Sequence, residues 1–254
     1  MSSNVMHVAK TGLNAQQARI QVISNNLANV NTTGFKRDRA NFETLLYQTL
    51  RPAGAQTSEA TEQTAPMTLG TGVRLVSTEK MYTQGSLTTT DNALDLAIDG
   101  KGFFQVLMPD GRIGYTRNGT FSQNADGVVQ PEIQIPPEAT SISISRDGII
   151  SVTLPDAVEA EEVGQLTLAQ FANPRGLEPV GETFVVESTA SGAPVVGNPV
   201  EDGMGALLQG TLETSNVNVV QELVDMIEAQ RAYEINSRSI SASDEMMSYL
   251  ANNL

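Results

Sequence analysis

No glycine follows Gly210 and no proline follows Pro199, so nothing in residues 215–254 breaks a helix. Asn218 is a suitable N-cap, Gln221 stands three residues on, and Glu222 and Asp225 place negative charge near the positive helix end. Val217, Val224, Ile235, Ala242 and Tyr249 are spaced by seven, eleven, seven and seven residues. That is a heptad pattern with one four-residue stutter, and Val220, Ile227, Ser239 and Met246 run alongside it. A helix over 218–250 would be roughly 50 Å long at about 1.5 Å per residue. Such a rod cannot bury its own apolar stripe.

The opposite end of the chain offers a matching element. Met6, Leu13, Ile20 and Leu27 repeat every seven residues, with Ala9, Gln16, Ile23 and Val30 at the companion position. Two heptad helices whose inner ends lie near Val30 and Asn218 are expected to pair antiparallel, with Met1 and Leu254 together at the far tip. Charge agrees. The first segment carries Lys10, Arg19, Lys36, Arg37 and Arg39, whereas the last carries Glu213, Glu222, Asp225, Glu228, Glu234, Asp244 and Glu245. Two helices alone leave apolar surface wet, so several copies of the chain are expected to bundle here.

Composition narrows the rest. The 254 residues suffice for one large or two small cores. A net charge of −14 argues against a nucleic-acid partner and against an anionic membrane surface. With no cysteine there are no disulfides, thiolate metal sites or thiol nucleophiles. No apolar run is long enough to span a bilayer, and the amino-terminal segment lacks the apolar core of a cleaved secretory signal.

Taken in order, the first helix is expected to end near Val30, with Gly34 in a left-handed turn. Asn25, Asn26, Asn29 and Asn31 are dense for a helix end, and their amides can tie it to neighbouring backbone. Residues 40–84 read as irregular. Within them 51–71 is rich in Pro, Ala, Gly, Gln, Thr, Ser and Glu, and reads as a long loop that orders on assembly. From Asp91 onward turn signals recur at Pro109-Asp110-Gly111, Asn118-Gly119, Asp126-Gly127 and Asp147-Gly148. The alternation of Ile142 and Ile144 before the last of these, and of Ile150 and Val152 after it, predicts a half-buried hairpin. Further strands are expected in 164–171 and 184–187, followed by a Gly/Pro loop over 190–205. The reading is a mainly β central domain, a hairpin-rich sandwich or open barrel, flanked by amino- and carboxy-terminal α-helices that form an antiparallel coiled coil. Its divisions are 1–35 and 212–254 for the helical domain, 36–86 for a connector with a loop insertion, and 87–211 for the β domain.

Five stretches then resemble one family in one order. Asn25-Asn26-Leu27-Ala28-Asn29-Val30-Asn31-Thr32-Thr33-Gly34-Phe35-Lys36 is similar to the amino-terminal signature of the bacterial flagellar rod and hook proteins. Asp95-Leu96-Ala97-Ile98-Asp99-Gly100-Lys101-Gly102-Phe103-Phe104 and Tyr115-Thr116-Arg117-Asn118-Gly119-Thr120-Phe121 resemble its central elements. Glu213-Thr214-Ser215-Asn216-Val217-Asn218 and Ala229-Gln230-Arg231-Ala232-Tyr233-Glu234 resemble its carboxy-terminal signature. The chain is too short for a hook protein, and its 47–71 insertion is similar to that of distal rod subunits. A hairpin that the family usually carries between Val129 and Gln130 is missing, which leaves the sheet edge there open.

The resemblance implies an axial subunit that passes unfolded through the flagellar secretion apparatus, without a cleaved signal peptide, and polymerises into a hollow rod crossing the periplasm. Implied partners are further copies of the chain, proximal rod proteins, the hook protein and the surrounding rings of the basal body, with no nucleic acid and no membrane insertion. The expected assembly residues are Leu13, Ile20, Asn25, Asn26, Leu27, Asn29, Asn31, Gly34, Phe35, Asn216, Val217, Asn218, Val224, Ile227, Arg231, Tyr233, Ile235 and Met246. A proximal rod position is the alternative within the family.

Catalytic readings find little support. His7 is the sole histidine, no Gly-x-Ser-x-Gly or phosphate-loop pattern occurs, and no cofactor or metal is expected. Ser122, Asn124 and Asp126 are spaced like the start of a calcium loop, but Ile133 stands at its twelfth position. Asp91, Asp95 and Asp99 lack a basic partner and read as turn-capping groups, which leaves a glycan-acting β domain as the enzyme alternative. A monomeric binding module is the third class.

Overall fold

The computed structural model describes residues 2–53, 56–58, 61–62, 65–122, 141–154 and 160–252. These divide into two compact units. The first holds residues 1–27, 38–79 and 219–254, and the second holds 28–37 and 80–218.

In the first unit, helix α1 spans Ser2–Ala28 and helix α2 spans Val219–Asn252. α2 begins one residue after Asn218, where the capping pattern places its start. At about 1.5 Å per residue the helices are roughly 40 and 50 Å long. Arg19 Nη2 meets Asp225 Oδ1 at 3.2 Å, and Asn26 Nδ2 donates to Glu222 Oε2 at 3.2 Å. A Cβ on Gly12 would lie 3.1 Å from Asn236 Nδ2. Residue numbers on α1 fall as those on α2 rise, so the helices are antiparallel neighbours. Strands Asp38–Thr44 and Val73–Lys80 pair with each other.

The stretch expected to be irregular is an extended β-hairpin. Gln48–Arg51 pairs antiparallel with Met67–Leu69, and Gln56–Ser58 with Thr61–Glu62. Thr49 faces Thr68 across the ladder, and β-branched threonines fit a pleated surface even where no core covers them. Low apolar content therefore removed the core, not the strands.

The second unit is built on a six-stranded antiparallel sheet in the order Glu178–Gly181, Phe184–Val186, Ile113–Thr116, Phe103–Leu107, Leu168–Gln170, Val195–Gly197. Successive strand residues point to opposite faces, so Phe103 and Phe104 serve different cores. Phe104 packs with Leu96, Ile98, Val152, Leu168 and Leu207 on one side. Phe103 packs with Tyr115, Phe171, Leu177 and Val185 on the other. The hairpin expected around Asp147-Gly148 forms with Ile142 opposite Val152 and Ile144 opposite Ile150. Gly148 takes φ +84°, as the turn requires. Strand Leu96–Asp99 pairs with Ala206–Gln209, and Leu87–Thr89 with Thr211–Glu213, which closes the unit around the segment that leads into α2. Asp95 is buried and accepts from Thr90 Oγ1 at 2.7 Å and Asn92 Nδ2 at 3.0 Å, which is turn capping. The Asp126-Gly127 turn, the Asn124 and Asp126 positions, the missing hairpin at Val129 and Gln130, and Met1 and Leu254 lie outside the described residues.

Candidate assembly interface

Among the described residues of the first unit, the buried helix residues are mostly small or polar, with Ile23 the one large apolar side chain. Ala9, Ala15, Ile23 and Asn26 are buried on α1, and Glu222, Ala229 and Ser243 on α2. Glu222, Ala229, Asn236 and Ser243 recur every seven residues, a seam that apolar periodicity does not mark. Asn26 anchors its inner end. Its Oδ1 accepts from Asp38 N at 2.8 Å and its Nδ2 donates to Asp38 O at 2.9 Å as well as to Glu222.

The apolar stripe read from α2 lies elsewhere. Val220, Val224, Ile227, Ile235, Met246 and Tyr249 are exposed, Ile235 by 67 %. Two residues along a helix turn about 200° around it, so Val220, Val224 and Ile227, each two residues from Glu222 or Ala229, face away from that seam, while Ile235 lies about 100° around the helix from Asn236. The expectation that it packs on α1 is corrected. Periodicity reports that residues share a face and is silent on what covers that face. The α1 heptad residues Leu13, Ile20 and Leu27 are half-buried. Arg231 and Tyr233 are exposed with the stripe, as is Asn25, whose Nδ2 donates to Asp38 Oδ2 at 3.3 Å.

The remaining expected residues belong to the second unit. Gly34 takes φ +68°, the left-handed turn expected of it, and a Cβ there would meet the Asn118 nitrogen at 2.5 Å. Phe35 is buried, with the Lys80 ammonium 5.2 Å from its ring centroid. Asn29 accepts from Thr32 Oγ1 at 3.2 Å, whereas Asn31 is exposed. Val217 is buried, Asn218 is exposed, and Asn216 spends its amide inside the chain. Its Oδ1 accepts from Arg37 N at 2.8 Å and its Nδ2 donates to Met81 O at 2.7 Å.

Sequence reasoning set Lys36 and Glu213 in oppositely charged terminal segments but did not join them with Arg117 in one cluster. Glu213, Lys36 and Arg117 are buried together, with Lys36 Nζ 2.5 Å from Glu213 Oε1 and Arg117 Nη1 3.3 Å from Glu213 Oε2. Burial pushes the Lys36 ammonium below its ordinary pKa, against the opposing pull of Glu213, and burial lowers Arg117 likewise. All three residues sit in the motifs quoted above, but up to 177 positions separate them, and no local pattern announces the meeting. Among the described residues no group of three or more His, Asp or Glu is placed to hold a metal, and no helix is long and apolar enough to cross a membrane.

Residues 6–36 match the family described as flagella basal body rod protein, residues 97–152 the flagellar hook protein FlgE/F/G D1 domain, and residues 208–254 the flagellar basal body rod FlgEFG protein C-terminal. A flagellar basal-body rod protein FlgG of Buchnera aphidicola subsp. Schizaphis graminum is 52 % identical, over 96 % of this chain and 97 % of its own. The chain belongs to the flagellar basal-body rod protein family. Within that family, the FlgG of Caulobacter vibrioides is 45 % identical over 95 % of this chain and 96 % of its own, and that of Bacillus subtilis 36 % over 95 % and 96 %. The rod family's amino-terminal match ends at Lys36 and its carboxy-terminal match begins at Leu208, so the Lys36–Glu213 pair joins the two matched ends.

Proposed function

We propose that the chain is a structural subunit, not an enzyme, that polymerises into the distal part of the hollow flagellar rod and carries motor torque to the hook. The observation that carries this is near-full-length similarity to proteins named flagellar basal-body rod protein. The apolar stripe of α2 supports it, because a row from Val220 to Tyr249 left in water by a single chain is what further copies can bury. On this reading α1 and α2 form an antiparallel coiled coil in the inner layer of the tube. The β-rich part, 87–211, forms the outer layer as a hairpin-rich sandwich or barrel, and 36–86 connects them. The expected assembly residues that the single chain leaves exposed or half-buried then serve contacts between copies, with Asn26, Gly34, Phe35, Asn216 and Val217 shaping the chain that presents them.

Proximal rod proteins, the hook protein and the rings around the rod are the further partners, reached in the periplasm after export without a cleaved signal peptide. Electron microscopy of the purified chain at rising concentration tests the core of this. Straight hollow filaments are expected. A chain that stays monomeric throughout, or that hydrolyses peptidoglycan, overturns the reading.

A further inference from the structure

Glu213 ties its own segment to three other stretches of the second unit at once. Its Oε1 accepts from Lys36 Nζ at 2.5 Å and from Gly85 N at 2.8 Å. Its Oε2 accepts from Arg117 Nη1 at 3.3 Å, and its own carbonyl accepts from Gly34 N at 2.8 Å. The two cations are tied down in turn. Lys36 Nζ donates to Thr83 O at 2.9 Å and Arg117 Nη2 to Gly100 O at 2.7 Å. Three residues on, Asn216 repeats the pattern by joining Arg37 N to Met81 O, while Thr214 N donates to Ser86 O at 2.8 Å. Residues 34–37, which follow α1, are thereby knitted to residues 213–216, which precede α2, through 81–86.

We propose that Glu213 is a positioning residue that fixes the segment leaving α1 and the segment entering α2 in one register, and that assembly depends on this ionic clasp. The part about assembly rests on the rod reading above. Three features separate the clasp from ordinary core. None of its three members belongs to either apolar cluster, although the Arg117 guanidinium lies over the Phe103 ring of the second at 5.5 Å. Its groups are charged although fully buried, where apolar residues of the same volume would hold a core as well. And its balance is two cations to one carboxylate, so loss of the single negative charge leaves two like charges buried side by side. The clasp closes only when both segments are in place.

Glu213→Gln tests this in the full chain, since glutamine keeps the shape and the Gly85 acceptor but not the charge. Hydrogen exchange on the dilute variant is expected to quicken at Gly34, Arg37 and Gly85 by about tenfold or more, with Tyr115 and Leu168 in the six-stranded sheet unchanged. Polymerisation should slow by about tenfold or more. The double variant Lys36→Met with Glu213→Gln removes one of the two stranded cations and should recover most of the protection. Exchange in Glu213→Gln equal to the parent's overturns the proposal. So does equal quickening in the sheet, which would make Glu213 a general core residue, and so does a double variant no better than the single. If the parent itself fails to polymerise, the rod reading falls, while the exchange measurements still judge the clasp.

Discussion

Around the six-stranded sheet, Phe104, Leu168 and Leu207 are almost wholly out of water, whereas on α2 Val220, Ile235 and Tyr249 stand mostly in it. The second unit spends its large apolar side chains on its own core, and the first keeps small and polar groups for its internal seam. A chain built to stand alone has no reason to divide its residues this way, because burying each large apolar side chain stabilises by about 1.5–3 kcal/mol. The division teaches that completeness differs between the units. One covers its large apolar side chains by itself, and the other leaves a row of them exposed.

The sharpest way to break this contrast is Ile235→Asp. Filament formation is expected to be lost if copies dry this face as proposed, while the isolated chain loses less than about 1 kcal/mol at an exposed helical site. Normal filaments from this variant would show that the stripe is not used. Phe104→Ala inverts the pattern. It should remove about 3–5 kcal/mol from the second unit, read as a lower denaturation midpoint. Exchange in α1 and α2 should stay near that of the parent if each unit holds itself. Gly34→Ala forces a side chain onto the Asn118 backbone at positive φ and should cost about 1–3 kcal/mol. Chemical denaturation reads that loss, and a change under 0.5 kcal/mol, about the scatter of surface substitutions, would mean that the turn relaxes freely.

The smallest effect concerns pH. Lys36 is held below its ordinary pKa by burial, so the folded chain releases that proton before the unfolded chain does. Between the lowered value and the ordinary lysine value of about 10.4 the unfolded state binds more protons, and the contribution of Lys36 to stability rises with pH. Tyr115, whose pKa burial raises, acts in the opposite sense once pH passes about 10. The parent should therefore gain on Lys36→Met as pH climbs toward 10, measured by denaturation midpoints at each pH. A constant difference would show that Lys36 titrates normally.

Local chemistry made much of the fold legible. The Asn218 start of α2, the positive φ of Gly34 and the Ile144–Ile150 hairpin register each depend on neighbours within a few residues, and each was readable. The 48–69 hairpin was not, since its pairing rests on backbone bonds and threonines that sequence patterns also assign to loops. The seam was misassigned because Ala229 and Ser243 carry no hydropathic signal, although small residues are what let two helices approach closely. The Lys36–Glu213–Arg117 cluster was legible only as opposite charge on the two terminal segments. Its partners come from segments far apart in the chain, and nothing local to one segment specifies which charge it meets.

The stripe on α2 has a consequence for handling the protein. Free copies carry a net charge of −14 and repel one another, whereas the stripe draws them together only at contact. Repulsion reaches about 10 Å at 0.1 M salt and about 3 Å at 1 M, while apolar attraction is hardly screened. Solubility should therefore show a threshold: below a critical concentration copies stay apart, and above it nuclei grow. Added salt lowers that threshold, so ionic strength becomes the practical dial between storing the subunit and growing it.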